Sequence, residues 1–99
     1  MRPIHLARLD TSRPVLVLTR ELVRPHLRRV TVAPITSTVW GLSTEVAVGI
    51  RNGLDHDSVV SLDNILTIPV ADLGRQLGHL HPDQEGDLAA AITAAFDLE

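Results

Sequence analysis

The feature that most constrains this fold is a series of short strand-like runs followed by one helix. The runs cover residues 4–9, 15–19, 30–34, 44–48, 58–62, 65–70 and, more loosely, 76–80. They are rich in Val, Ile, Leu and Thr, and turn residues such as Pro25, Gly41 and Asn52-Gly53 lie between them. Because these runs are too short for stable helices, the pattern predicts a mainly β chain.

The segment HPDQEGDLAAAITAAF, residues 81–96, predicts an amphipathic C-terminal helix. Pro82 stands at the expected first helical position, and acidic residues follow it in the opening turns. Apolar residues recur at helical spacing and should pack on a sheet, with the last of them in the core: Leu88, Ala91, Ile92, Ala95 and Phe96. The whole pattern predicts a small, mostly antiparallel β-barrel closed by a terminal helix.

Length and composition narrow the class of protein. The 99 residues suit a single domain, 1–99. The chain has no cysteine, which excludes disulfides and thiolate metal sites. No apolar run approaches the roughly 18 residues of a membrane-spanning helix, and the N-terminus lacks a signal-peptide pattern. We therefore expect a cytoplasmic protein that does not enter a membrane.

The charge is distributed unevenly along the chain. Residues 1–29 contain seven arginines and two acids, a balance of +5, whereas the remainder has two arginines and ten acids, a balance of −8. An arginine-rich first third is consistent with a phosphate-binding face. A GC-rich genome that encodes Arg in place of Lys would produce the same pattern, so both interpretations stay open.

Four segments in order resemble the MazF/PemK family of toxin endoribonucleases. They are the Arg-Pro pair in RPVLVLTR from Arg13, the segment VAPITST at residues 32–38, Gly41 leading to the acidic strand TEV, and SVVSLDNILTIP at residues 58–69. The resemblance covers about residues 13–96. It implies an SH3-like β-barrel of the MazF/CcdB type with a C-terminal helix, assembled as a homodimer.

The resemblance also implies a catalytic pair and a substrate. In the family, the arginine of the Arg-Pro pair and the threonine of the Pro-x-Thr segment are catalytic, and they match Arg13 and Thr36. Members cut single-stranded regions of mRNA, tRNA or rRNA, need no cofactor, and are blocked by a cognate MazE-like antitoxin. This chain departs from the pattern in its first loop, where only Thr11 and Ser12 separate Asp10 from Arg13.

The chemistry of RNA cleavage agrees with this pair. RNA carries its own nucleophile, the 2′-hydroxyl, so the enzyme must align it, move protons and stabilise the charge on phosphorus, and no metal is required. A guanidinium stays charged and binds two phosphate oxygens, so Arg13 suits charge stabilisation. Thr36 can hydrogen-bond the phosphate but is a poor base.

Proton transfer therefore needs a further group, and His5 and His26 are the candidates. His5 lies on the first strand, beside the strand of Arg13, and His26 lies in the loop after the second strand. His79 and His81 lack a third metal ligand, and we interpret His56 as part of a solvated turn. We interpret the carboxylates Glu45 and Asp63 as structural groups.

RNA contacts are expected next to the catalytic threonine and in the arginine-rich loop. Ser37 and Thr38 follow Thr36 directly, and Trp40 could stack a base, cap the barrel or contact a second copy. Three arginines near the loop after the second strand should attract phosphates, as specific contacts or as a solvated rim: Arg20, Arg24 and Arg28.

Two other functions fit the same fold. CcdB-type toxins use this barrel and dimer to poison DNA gyrase without cutting RNA. A non-catalytic binding module is the other alternative, because the loop before Arg13 is short. Fold alone does not separate these functions, since each depends on the chemistry of its site.

Overall fold

The computed structural model describes residues 2–98, which form seven β-strands and one α-helix. The strands are β1 Pro3–Arg8, β2 Ser12–Val17, β3 Arg29–Thr36, β4 Glu45–Val48, β5 Ser58–Ser61, β6 Leu66–Pro69 and β7 Leu73–His79, and the helix α1 is Glu85–Phe96. Each predicted run overlaps one strand. The main differences are that β2 begins early enough to contain Arg13 and that β7 begins before residue 76.

All strand pairings are antiparallel, and the sheet is curled into a half-barrel. The strand order is β4-β5-β3-β2-β1-β7, and β6 also pairs with β3. Strand β3 is the centre, because one edge pairs with β2 while the other pairs first with β6 and then with β5. The predicted mainly β architecture with a C-terminal helix is confirmed.

Both faces of the central strands are buried, which is why their apolar runs are nearly continuous. Along β2, Val15 and Val17 belong to one cluster and Leu16 to the other. The larger cluster also contains Ile35 and receives Leu88 from the helix. Since successive side chains of a strand point to opposite faces, a run with few polar residues gives each face its own core.

Helix α1 packs against β4 and the turn at residues 62–64, with Leu88 and Ala91 buried. Two expectations for this region are wrong. Pro82 opens a short 3-10 turn, Pro82–Gln84, and α1 begins only at Glu85. Phe96 is 56% exposed because it is the last residue of the helix, and the packed part of its apolar stripe ends at Ala95.

A buried pair of amides connects the turn before β5, the end of β7 and the start of the helix. The Asn52 side chain accepts the N–H of Gly49 at 3.1 Å and donates to the His79 carbonyl at 3.0 Å and to Gln84 Oε1 at 2.7 Å. Gln84 also donates to the Ala47 carbonyl at 3.3 Å. Every polar atom of these buried amides is thus hydrogen-bonded.

Glycines permit the close approach of this turn to β7. Gly53 has φ +88°, and a Cβ built there would lie 2.1 Å from the Leu77 carbonyl oxygen. A Cβ at Gly78 would lie equally close to the Asn52 carbonyl oxygen. The backbone contact fixes where residues 54–56, which follow the turn, stand relative to β7.

An exposed ion pair, Arg51–Asp83, joins the turn of Asn52 to the 3-10 turn Pro82–Gln84, with nitrogen–oxygen distances of 2.7 and 2.9 Å. Hydrogen bonding to the guanidinium lowers the pKa of Asp83 and raises that of Arg51. Any stability that Asp83 contributes is present above its unfolded-state pKa and is lost as the pH falls. Its exposure makes that contribution small.

The amide pair predicts a stability effect that can be measured. Asn52→Ala should lower the free energy of unfolding by about 1–3 kcal/mol, because it leaves buried partners without hydrogen bonds. The matched control is Asn64→Ala, which removes a single exposed hydrogen bond to Ser61 and should change stability by less than about 0.5 kcal/mol. Thermal unfolding followed by circular dichroism makes the comparison, and equal effects of the two substitutions would contradict it.

Candidate active site

The strand register brings Arg13 and Thr36 to neighbouring positions. Val15 pairs with Pro34 across β2 and β3, and two further steps in the same register set Arg13 opposite Thr36. The paired ladder between β2 and β3 ends at Val15 and Pro34, and on its other edge β3 pairs Thr36 with Val59 of β5. The two side chains therefore stand where β2 and β3 begin to separate.

The arginine is held by the short loop that precedes it. Arg13 Nε lies 3.3 Å from Asp10 Oδ1, Nη2 lies 3.3 Å from Oδ2, and Nε is 3.4 Å from the Thr11 hydroxyl. Arg13 of β2 pairs with Ala7 of β1, and Pro14 follows Arg13 in the chain. The side chain is 46% exposed, so it is oriented while staying accessible to a ligand.

The threonine ends β3, and its hydroxyl oxygen accepts the N–H of Thr38 at 3.1 Å. That hydroxyl can still donate its hydrogen to a bound anion. Ser37 is exposed and lines a cleft beside Thr36. Thr38 is exposed and contributes the backbone contact, but it does not line either of the clefts described next.

Arg13 and Thr36 form a ridge between two clefts, and both residues line each of them. One cleft, of about 590 Å³, is called here the Arg75 cleft, and the other, of about 740 Å³, the Trp40 cleft. Other residues of the Arg75 cleft include Ser37, Asp55, His56, Arg75 and Gln76. Others of the Trp40 cleft include Asp10, Trp40, Glu45, Asp63 and Asn64.

Trp40 is 74% exposed, so the interpretation that it caps the barrel within its own chain is wrong. It lies in the loop between β3 and β4 and lines the Trp40 cleft. An exposed indole beside a phosphate-binding candidate is available for stacking.

The five histidines lie in different places, and neither expected candidate lines the clefts at Arg13 and Thr36. His5 contacts the Gly74 carbonyl through Nδ1 at 2.9 Å, where the pairing of β1 with β7 is irregular. His26 is in a 3-10 turn at Arg24–His26. The imidazole that does line the Arg75 cleft is His56, whose turn is exposed as expected but adjoins the site.

The other two histidines stand together near the start of the helix. The rings of His79 and His81 lie 4.8 Å apart, and His81 Nε2 is 2.7 Å from the Arg51 carbonyl oxygen. Among residues 2–98, no group of three or more His, Cys, Asp or Glu side chains is arranged to hold a metal ion.

The structure does not bring Arg20, Arg24 and Arg28 to the ridge. Arg20 follows the end of β2, and Arg28 directly precedes β3, whose other end is Thr36. Because β2 and β3 are antiparallel, the end of β2 lies beside the start of β3. The length of a strand, roughly 20 Å, therefore separates these arginines from Arg13 and Thr36. Arg24 is paired there with Glu21, 3.7 Å from Nη2 to Oε1.

Sequence reasoning missed the second wall of the site, at Arg75 and Gln76 on β7 and at Asp55 and His56 after the Asn52 turn. One signal was present, since Arg75 is one of only two arginines after residue 29. The contact between the turn and β7 that brings these residues together leaves no periodic pattern in the sequence.

In the described part of the chain, no helix is long and apolar enough to cross a membrane.

Comparison with known proteins identifies the family. The model of the PemK-like, MazF-like toxins of type II toxin-antitoxin systems matches residues 6–96. The chain belongs to this family. Its resemblance to MazF/PemK toxins, inferred from the four segments, is therefore confirmed.

Individual relatives agree with the family match. Endoribonuclease MazF3 of Mycobacterium tuberculosis is 67% identical over 99 residues, which are 100% of this chain and 96% of the relative. The solved structure of Mycobacterium tuberculosis toxin MazF-mt6 superposes with a TM-score of 0.97 at 66% identity, covering 99% of both chains. A mycobacterial endoribonuclease in complex with its cognate antitoxin gives 0.87 at 26% identity, covering 98% of this chain and 93% of that one.

Proposed function

We propose that this MazF/PemK-family chain is an endoribonuclease toxin that cleaves single-stranded RNA by attack of a ribose 2′-hydroxyl on the adjoining phosphate. The observation that carries the proposal is the meeting of Arg13 and Thr36 on a ridge between two clefts. A nucleic-acid strand that crosses the ridge would put one phosphate against both side chains and its neighbouring nucleotides into the clefts. The relative MazF3, at 67% identity, is named an endoribonuclease.

Arg13 acts on the charge that develops during the reaction. In-line attack produces a phosphorane whose extra negative charge lies on the non-bridging oxygens, and a guanidinium can donate two hydrogen bonds to them. Pro14 has a fixed φ and favours an extended conformation at the residue before it, so Arg13 projects from a stiff backbone. The Asp10 carboxylate orients the guanidinium at the edge of the ridge.

Thr36 completes the grip on the phosphate. Its oxygen is engaged with the Thr38 N–H, which orients the hydroxyl so that its hydrogen can go to a phosphate oxygen. The 2′-oxygen bonds to phosphorus as the bond to the 5′-oxygen breaks, and solvent water takes the 2′-proton and supplies a proton to the 5′-oxygen. The products are a 2′,3′-cyclic phosphate and a 5′-hydroxyl, and the chain's own residues need no metal for these steps.

The RNA would continue away from the ridge along Ser37 and Trp40, with the Thr38 backbone supporting the threonine. We place the activity in the cytoplasm, where mRNA, tRNA and rRNA are available. Sequencing the 5′ ends of RNAs after brief induction of the toxin identifies which of these classes is cut, and at which sequence.

Partners follow from the same chemistry. We propose a homodimer inhibited by a MazE-like antitoxin, and a mycobacterial family member has been solved in complex with its cognate antitoxin. An acidic antitoxin segment would compete with RNA for arginine-lined surface. Equal binding of that segment in the presence and absence of saturating RNA would contradict competition for one groove.

Poisoning of DNA gyrase is the alternative on a related fold, and the comparisons favour the nuclease. Incubation of the protein with total RNA in excess chelator separates the two. Discrete fragments that end in a 2′,3′-cyclic phosphate support the nuclease, whereas intact RNA together with inhibited supercoiling supports the gyrase poison. Intact RNA without inhibition of supercoiling supports a binding module.

The ridge predicts large losses of activity from small changes. Arg13→Ala should lower the cleavage rate about 100- to 1000-fold, because one well-placed donor contributes roughly that much to transition-state stabilisation. Thr36→Val should have a similar or smaller effect, with the thermal unfolding curve of both variants close to that of the parent. The matched control is Arg51→Ala, an exposed arginine outside both clefts, which should cleave normally. Full activity in Arg13→Ala would remove Arg13 from the mechanism.

The remote arginines predict a different kind of effect. Arg28→Ala should weaken RNA binding and leave the cleavage rate at saturating RNA unchanged, because Arg28 lies at the opposite end of β3 from Thr36. If it contacts one phosphate, the slope of log affinity against log salt concentration should fall by about 0.7. Titrations at several salt concentrations measure the slope, and an unchanged slope would mean that Arg28 is not in contact with RNA.

A further inference from the structure

Glu45, the first residue of β4, closes the loop that carries Trp40. Its Oε2 accepts the Trp40 N–H at 3.2 Å, and its Oε1 accepts the Leu42 N–H at 3.0 Å. The Glu45 N–H in turn donates to the Leu42 carbonyl at 3.1 Å. A single side chain therefore fixes the backbone on both sides of Gly41.

The conformation of Gly41 makes this arrangement possible. Its φ is +73°, in the left-handed region, and a Cβ built on it would meet nothing within 4 Å. Left-handed backbone at one position of a turn directs nearby N–H groups to the same side and produces a concave anion site. Here the anion is the carboxylate of Glu45 from the same chain.

The loop holds an indole that otherwise lacks support. Trp40 is 74% exposed, so side-chain packing does little to restrict it. Aromatic rings bind single-stranded RNA by stacking on a base, which requires a ring at a fixed height and angle beside the strand. Trp40 lines the Trp40 cleft together with Arg13 and Thr36.

We propose that Glu45 is a positioning residue for RNA binding, which holds Trp40 so that a nucleobase next to the scissile phosphate stacks on the indole. Glu45 acts through the backbone of Trp40 and does not itself contact RNA. The inference rests on the proposed function, because it takes single-stranded RNA as the ligand of the Trp40 cleft.

An electrostatic role and a positioning role of Glu45 predict opposite changes in RNA affinity when its carboxylate is removed. A carboxylate beside a phosphate-binding ridge repels RNA, so removing its charge should by itself strengthen binding. If the carboxylate positions Trp40, its removal should weaken binding. Asp63 is the matched control, because it is a second carboxylate of the same cleft and its Oδ2 accepts the Thr44 hydroxyl at 2.6 Å.

The test measures binding of a single-stranded, mixed-sequence 2′-O-methyl RNA oligomer, which lacks the nucleophile and is not cleaved. Trp40→Ala should weaken binding about 5- to 100-fold, the range expected for loss of one stacked base. Glu45→Gln should weaken it by part of that factor, whereas Asp63→Asn should leave it unchanged or strengthen it. Adding Glu45→Gln to Trp40→Ala should cause no further loss, because Glu45 acts through Trp40.

Fluorescence gives a readout that a purely structural role would not change. The chain has one Trp and no Tyr, so its emission reports on Trp40 alone. In Glu45→Gln, the local rotation of the indole should be faster, and saturating RNA should quench the emission less than in the parent. Glu45→Asp, which keeps the charge but shortens the side chain, is the second variant and should behave in the same way.

Several results would overturn the inference. These are failure of the parent to bind the oligomer, tighter binding by Glu45→Gln, and an equal loss of affinity when Glu45→Gln is introduced into the parent and into Trp40→Ala. If Glu45→Gln and Glu45→Asp both unfold, Glu45 is needed for folding and its role is structural. Failure of the proposed function looks different, since the parent would then leave total RNA intact or Arg13→Ala would retain full cleavage, whatever the Trp40 and Glu45 variants do.

Discussion

The change of partner along β3 is the constraint on which the rest of the structure depends. Its edge pairs with β6 through Val32 and with β5 from Ile35, so one strand belongs to two parts of a curled sheet. The paired ladder with β2 ends at Val15 and Pro34, two residues short of Arg13 and Thr36. Arg13 and Thr36 therefore stand beyond the paired ladder, beside the two clefts that they line.

Much of the fold was predictable because strand signals are local. The β-branched runs and the turn residues between them gave seven strands in the correct order, and the spacing of Leu88 and Ala91 gave the buried side of the helix. Phe96 was assigned wrongly because periodicity describes which side a residue occupies and not how far the supporting surface extends. The true start of α1 was hidden because Pro82 is equally acceptable at the start of a 3-10 turn.

The candidate site was predictable only in part, since its residues come from separate segments. The order of short segments identified Arg13 and Thr36, and the register of β2 and β3 explains why these two meet. Arginine clustering in the sequence predicted phosphate contacts for Arg28 but gave no information on its distance from Arg13 and Thr36. The length of β3 sets that distance, because Arg28 precedes the start of the strand and Thr36 is its last residue.

The loop of Trp40 shows why structural and functional roles of a carboxylate overlap. From sequence, Glu45 reads as a structural group, and its hydrogen bonds are indeed to backbone. Those bonds, however, are made to the backbone of Trp40 and Leu42, two residues that line the Trp40 cleft. In the proposed function, Arg13 and Thr36 act on a phosphate that every RNA shares, whereas the residues that line the two clefts contact the bases beside it. On that proposal, substitutions of cleft residues other than Arg13 and Thr36 would change which sequence is cut and leave the chemistry of cleavage unchanged.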